Sequence, residues 1–150
     1  MSSISAADVK RLREATSAGM MECKKALEET GGDFDKAVEA LRISGAAKAA
    51  KRGAERTTSN GIVSSHGNAL IELLCETDFV AKSEDFLTLA NQLSAAADAN
   101  QVADPQALLA CELSSGETAE SAISHIAGVI GEKVELGRVS VLEAPVALYL

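Results

Sequence analysis

Apolar positions along the first 45 residues recur at helical spacing, in three short runs that each carry their own start and stop signals. Ser5-Ala-Ala-Asp8 has the form of a capping box, with Ser5 as N-cap and Asp8 reaching back from the third helical position. Val9, Leu12 and Ala15 or Thr16 then share one face, and Ser17-Ala18-Gly19 breaks the helix. A second run places Met20, Cys23 and Leu27 on one stripe, with Glu22, Lys24 and Lys25 outside it. Gly31-Gly32 stops that run, and Asp33 caps a third with Phe34, Ala37, Val38 and Leu41 at i, i+3, i+4 and i+7. These signals predict a compact three-helix module over residues 1–46. From Ala46 to Asn60 the pattern dissolves into small and basic residues, read as a helix tail whose cations suit its C-terminal dipole, then a linker over 47–60.

After Gly61 the period changes from helical to alternating. Ile62–Ser65 reads as a strand, His66-Gly67-Asn68 as a hairpin turn, and Ala69–Glu76 as a second strand. In that second strand Ala69, Ile71, Leu73 and Cys75 share one face, while Glu72 and Glu76 share the other. Ser83-Glu84-Asp85 opens a helix whose buried stripe is Phe86, Leu89, Ala90 and Leu93. Asp104-Pro105 starts a further short helix. Ser114-Ser-Gly-Glu117 caps another, which carries Ala119, Ala122, Ile123, Ile126 and Ile130 and ends at Gly131. Val134 and Leu136, then Val139 and Val141, form a strand whose alternation slips at Gly137, as a bulge requires. Val146–Leu150 reads as part of a fourth strand. Segregated helices and strands in this order predict an α+β core domain over 61–150, an antiparallel sheet covered on one face by helices.

Composition narrows the function classes. Residues 1–56 hold 11 Lys/Arg against 9 Asp/Glu, whereas residues 57–150 hold 3 against 13, a net of −10 in the second part. An acidic body of this kind lacks the clustered cations that phosphate contacts need, so no direct nucleic-acid partner is expected; a protein partner suits it better. Three widely spaced cysteines, Cys23, Cys75 and Cys111, imply neither a disulfide framework nor a metal site. Without a signal-peptide pattern or an apolar run of membrane-spanning length, the expected compartment is the cytoplasm, with no membrane association.

Catalytic constellations are equally scarce. His66 lies in a turn and His125 within a helix, neither beside an informative Ser, Cys or acidic partner in sequence, and no nucleotide-binding or hydrolase motif occurs. No cofactor is called for, and the chain does not read as an enzyme. Two segments stand out as contact surfaces instead. In Glu76-Thr77-Asp78-Phe79-Val80-Ala81-Lys82, Phe79 falls outside the stripe set by Phe86, Leu89 and Leu93. It either folds back over its own core or stands out as an aromatic anchor of the kind that dominates interfaces. Met20-Met21 sits at the turn into the second helix; one methionine is expected to pack inward, and the other either offers a pliable contact or clips onto its own core.

The run ISAADVKRLREATSAGMMECKKALEETGGDFDKAVEALR resembles the N-terminus of the elongation factor Ts family, as do LIELLCETDFVAK and IGEKVELGRV further on, in the family's order. The resemblance implies a ubiquitin-associated-like three-helix domain, a linker and an α+β core. It implies a protein that binds elongation factor Tu in its GDP form and promotes nucleotide exchange without an active site. It assigns Thr77, Asp78, Phe79 and Val80 to the segment linked to displacing magnesium from the partner's nucleotide site, with the Phe79 ring as a wedge. It further implies that Arg13, Met20 and Met21, and Ile130 and Gly131, touch the partner's GTPase domain. Most members continue through a second half of the core, which this sequence lacks. Two readings of that departure follow, a homodimer favoured by an unprotected terminal strand or a truncated product, and either leaves as an alternative a module that binds elongation factor Tu without full exchange activity.

Overall fold

The computed structural model describes residues 4–143 and 146–149. Three helices come first: α1 (Ala6–Thr16), α2 (Met20–Glu29) and α3 (Phe34–Glu55). A hairpin of β1 (Asn60–His66) and β2 (Ala69–Cys75) follows, then α4 (Asp78–Ala81), α5 (Glu84–Asn100), α6 (Pro105–Leu109), α7 (Ala119–Ile130) and β3 (Val134–Val141). The α+β class expected from the sequence is the class observed.

In the N-terminal part the local signals act as read. Ser5 Oγ accepts the Asp8 N–H at 3.2 Å while Asp8 Oδ2 accepts the Ser5 N–H at 3.1 Å. Asp33 Oδ1 accepts the Lys36 N–H at 3.1 Å, and Gly31 and Gly32, both at positive φ, turn the chain between α2 and α3. Val9, Leu12, Cys23, Ala26, Leu27 and Ala37 form a small apolar cluster, edged by Phe34, Val38 and Leu41. Met20 departs from the expected stripe. That stripe closes on Cys23, Ala26 and Leu27, and both methionines of the first turn face solvent, Met20 46% and Met21 76% exposed.

The third helix continues nine residues into the expected linker, to Glu55. Alanine-rich sequence needs no amphipathic stripe to stay helical, because alanine has the most favourable helix propensity. α3 packs against α7. A Cβ built on Gly128 would lie 3.8 Å from the Gly45 carbonyl oxygen, so the helices meet where both lack side chains. Lys48 adds an ion pair to Glu22 of α2.

The sheet has the order β1-β2-β3, antiparallel throughout. Alternation in β2 is strict: Ala69, Ile71, Leu73 and Cys75 are all buried, in one cluster with Phe86, Leu89, Ala90 and Leu93 of α5 and Ile123 and Ile126 of α7. The slip anticipated at Gly137 is a bulge. Ile71 pairs with Val139 and Leu73 with Leu136, so Gly137 and Arg138 together oppose Glu72. Arg138 grips Glu72 through its N–H and Nε at 2.9 Å and Nη2 at 2.6 Å. Hydrogen bonds from that side chain, first, and from its backbone hold the Glu72 carboxyl down at about 2. A Cβ at position 137 would sit 2.8 Å from Glu72 Oε2 and 3.0 Å from Glu72 Cβ, so a side chain there would displace the carboxylate that Arg138 holds.

Three expectations are corrected. α7 is capped by Thr118, whose hydroxyl accepts the Ser121 N–H at 3.2 Å, and not by Ser114. Ser114 is held in a tight loop, closed by Leu113 N–H to Glu117 O at 2.8 Å and turned at Gly116, with φ 86°. Between the strand read to Glu76 and the helix read from Ser83, where no helix was expected, lies the one-turn helix α4. Residues 146–149 form no strand, contrary to the fourth strand read over Val146–Leu150; Leu150 lies outside the described residues.

Candidate protein-binding site

The turn that carries Phe79 is built from both ends. Thr77 leaves β2 in an extended conformation and caps α4, its hydroxyl accepting the Val80 N–H at 3.4 Å. Consecutive helical residues point about 100° apart. Val80 and Ala81 turn into the core, Val80 to 9% exposure, and thereby aim Phe79 away from it. The ring is 83% exposed, whereas Phe86, seven residues on, is wholly buried. Asp78 spans to Lys82 Nζ at 3.0 Å, a hydrogen bond that lowers its carboxyl below the usual range.

Beneath this turn lies a set of hydrogen bonds that join residues far apart in sequence. Glu132, just past the end of α7, accepts the Thr77 N–H on Oε1 at 3.1 Å and the Thr77 hydroxyl on Oε2 at 2.8 Å. The Lys133 N–H donates to Glu76 Oε1 at 2.6 Å. Arg56 Nη1 reaches both Glu76 oxygens at 3.3 Å and the Gly131 carbonyl at 3.4 Å, while Lys133 Nζ donates to the Arg56 carbonyl at 3.2 Å. Gly131 stands at φ 81°, ending α7 and turning Glu132 toward the Thr77 backbone. Thr77–Val80 and Ile130–Gly131 therefore share one frame. Ile130 itself is half-buried against the core.

Arg13, Met20 and Met21 lie on the helical cluster, and none of the frame's hydrogen bonds reaches them. Arg13 and both methionines are exposed. Sequence reasoning missed Glu132 and Glu76. They sit 55 and 57 residues from the backbone donor or acceptor each meets, and no local pattern marks a carboxylate that will serve so distant a partner.

Cys75 and His66, two residues that would support chemistry, are otherwise engaged. Cys75 is buried and its thiol donates to the Thr77 carbonyl at 3.2 Å; burial, and then the Glu132 carboxylate, push the thiol's pKa up, the wrong direction for a nucleophile. His66 Nδ1 meets Asp98 Oδ2 at 3.2 Å, and Asp98 Oδ1 accepts the Asn68 N–H at 3.1 Å, so this pair fastens the hairpin to α5. Among the described residues no cluster of three or more His, Cys, Asp or Glu could hold a metal, and no helix is long and apolar enough to cross a membrane. What the molecule presents is an exposed aromatic on a braced turn, an arrangement suited to binding another protein.

A family model described as elongation factor TS matches residues 76–150, beginning at the glutamate of the frame. The chain is 54% identical to elongation factor Ts of Nocardioides sp., and 55% identical to those of Nocardia farcinica and Mycobacterium tuberculosis. Each match takes in all 150 residues of this chain and 54–55% of the relative. The chain thus spans about half the length of the curated relatives it matches.

Proposed function

The chain belongs to the elongation factor Ts family, and from that premise we propose that it binds elongation factor Tu in the GDP form and promotes GDP release, acting in the cytoplasm as a binding protein and not an enzyme. Phe79 is the wedge in this reading. The observation that carries it is the 83% exposure of a phenylalanine whose neighbour Val80 is buried. An aromatic ring held in water by its own fold has its apolar surface available for a partner.

GDP in a GTPase is held by backbone donors and by a magnesium ion bridging phosphate oxygens. A ring that shifts the element supporting the magnesium weakens the nucleotide without competing for its space. Burying one Phe yields about 1.5–3 kcal/mol, and ~1.4 kcal/mol is tenfold in an equilibrium. One ring thus supplies a useful part of the coupling, and Ile130–Gly131 on the same frame, with Arg13, Met20 and Met21 on the helical cluster, supply further contact. Linkage requires GDP to weaken this chain's binding by the factor that the chain weakens GDP.

The test is release of fluorescent GDP from elongation factor Tu on adding the chain at micromolar concentration. The expected outcome is faster release. A complex on size exclusion with unchanged release would leave a binding module; neither complex nor acceleration would end the reading.

A further inference from the structure

We propose that Glu132 is a positioning residue for the wedge, locking the Thr77–Val80 turn to the end of α7 so that Phe79 and Ile130–Gly131 meet a partner as one rigid body. The proposal rests on the exchange reading above and adds to it the group that orients the ring.

Isolated, a one-turn helix is far below the length at which helices hold themselves together. α4 spans only Asp78–Ala81, and its cap contact from the Val80 N–H is long at 3.4 Å. Val80 and Ala81 anchor its inner side, and its other bonds, such as Ser83 Oγ to the Val80 carbonyl at 2.7 Å, lie within the turn and its immediate flank. Glu132 is the side chain that ties the turn to a distant element. Its two oxygens take the N–H and the hydroxyl of Thr77, two charge-assisted bonds to one residue at the turn's entrance. The same hydroxyl accepts from Val80, so a continuous chain of bonds runs from the α7 end through Thr77 into the turn that bears the ring.

The carboxylate is itself fixed from both sides. Gly131 sets its direction through a left-handed turn, and the next N–H, of Lys133, is held by Glu76 at 2.6 Å. Glu76 precedes Thr77, so the two strands of chain are cross-tied twice, Glu76 to Lys133 and Thr77 to Glu132. A ring that must be ordered on binding loses affinity to that ordering, and one ordered beforehand does not.

The chain has no tryptophan, so Phe79→Trp gives a single reporter on the turn. Fluorescence anisotropy decay of that variant, without any partner, is expected to show little nanosecond motion beyond tumbling. Adding Glu132→Ala is expected to introduce a fast component, and Glu132→Gln, which keeps one acceptor oxygen, a smaller one. In GDP release with Phe79 present, Glu132→Ala is expected to lower the saturating rate about 3–10-fold. The double variant Glu132→Ala/Phe79→Ala should be no slower than Phe79→Ala alone, because the carboxylate acts through the ring.

An unchanged anisotropy decay in Glu132→Ala overturns the positioning role, whatever the nucleotide assay shows. Additive losses in the double variant overturn it as well, and mark Glu132 as a contact or a stabiliser of the fold. If the unaltered chain fails to release GDP, the exchange reading falls while the anisotropy still decides whether Glu132 orders the turn. Should Glu132→Ala melt below the assay temperature, Glu132→Gln decides the same question at smaller amplitude.

Discussion

Phe79 and Met21 are both large, apolar and turned to water, yet the molecule holds them in different ways. Phe79 rides on a turn tied to Glu132, 55 residues away, and backed by two side chains sunk in the larger apolar cluster. Met20 and Met21 open α2 behind Gly19, whose N–H meets Glu22 Oε2 at 3.3 Å, a local bond that says nothing about where the methionine side chains lie. Phe has two side-chain torsions and Met has three, with more rotamer freedom to lose. One surface is preorganised and the other adaptable. A wedge needs the first kind, since a ring that yields transmits no displacement; a surface that only adds affinity is served by the second.

The sharpest way to break this contrast starts with stability, where the largest effect is expected. Phe86→Ala should cost about 3–5 kcal/mol in urea unfolding, because it empties the centre of the cluster. Phe79→Ala should stay within about 0.5 kcal/mol of the parent. Equal losses from the two would mean that the exposed ring covers the core in solution, and the contrast would collapse. A smaller effect sharpens the other side. Met20→Ala/Met21→Ala is expected to weaken the complex about 3–10-fold while leaving GDP release at saturation unchanged. A fall in the saturating rate would place the methionines in the displacement step.

Much of the scaffold behind these surfaces was legible because it is encoded locally. The Ser5–Asp8 box, the alternation of Ala69–Cys75 and the slip at Gly137 each lie within a few residues, and each took the form its chemistry dictates. Ser114 reads as a cap from the sequence alone, but the loop closed by the bridge between Glu112 and Thr118 leaves Thr118 to cap α7. α3 overran its expected end because alanine holds a helix without a stripe, and the Gly45–Gly128 approach that supports it is a tertiary fact. The site was half legible. Thr77–Lys82 was marked by a Phe out of phase with its neighbours, but the residues left open whether the ring folded back or stood out. The direction of that ring depends on Val80 packing inward and on Glu132, which no local pattern connects to Thr77.

The central claim is that the ring at position 79 converts binding into nucleotide release. It is tested most directly by stopped-flow release of fluorescent GDP from elongation factor Tu at saturating concentrations of the chain and of its Phe79→Ala variant. The account predicts that the variant still forms the complex and that its maximal rate falls about 10-fold or more. A maximal rate equal to that of the unaltered chain would contradict it.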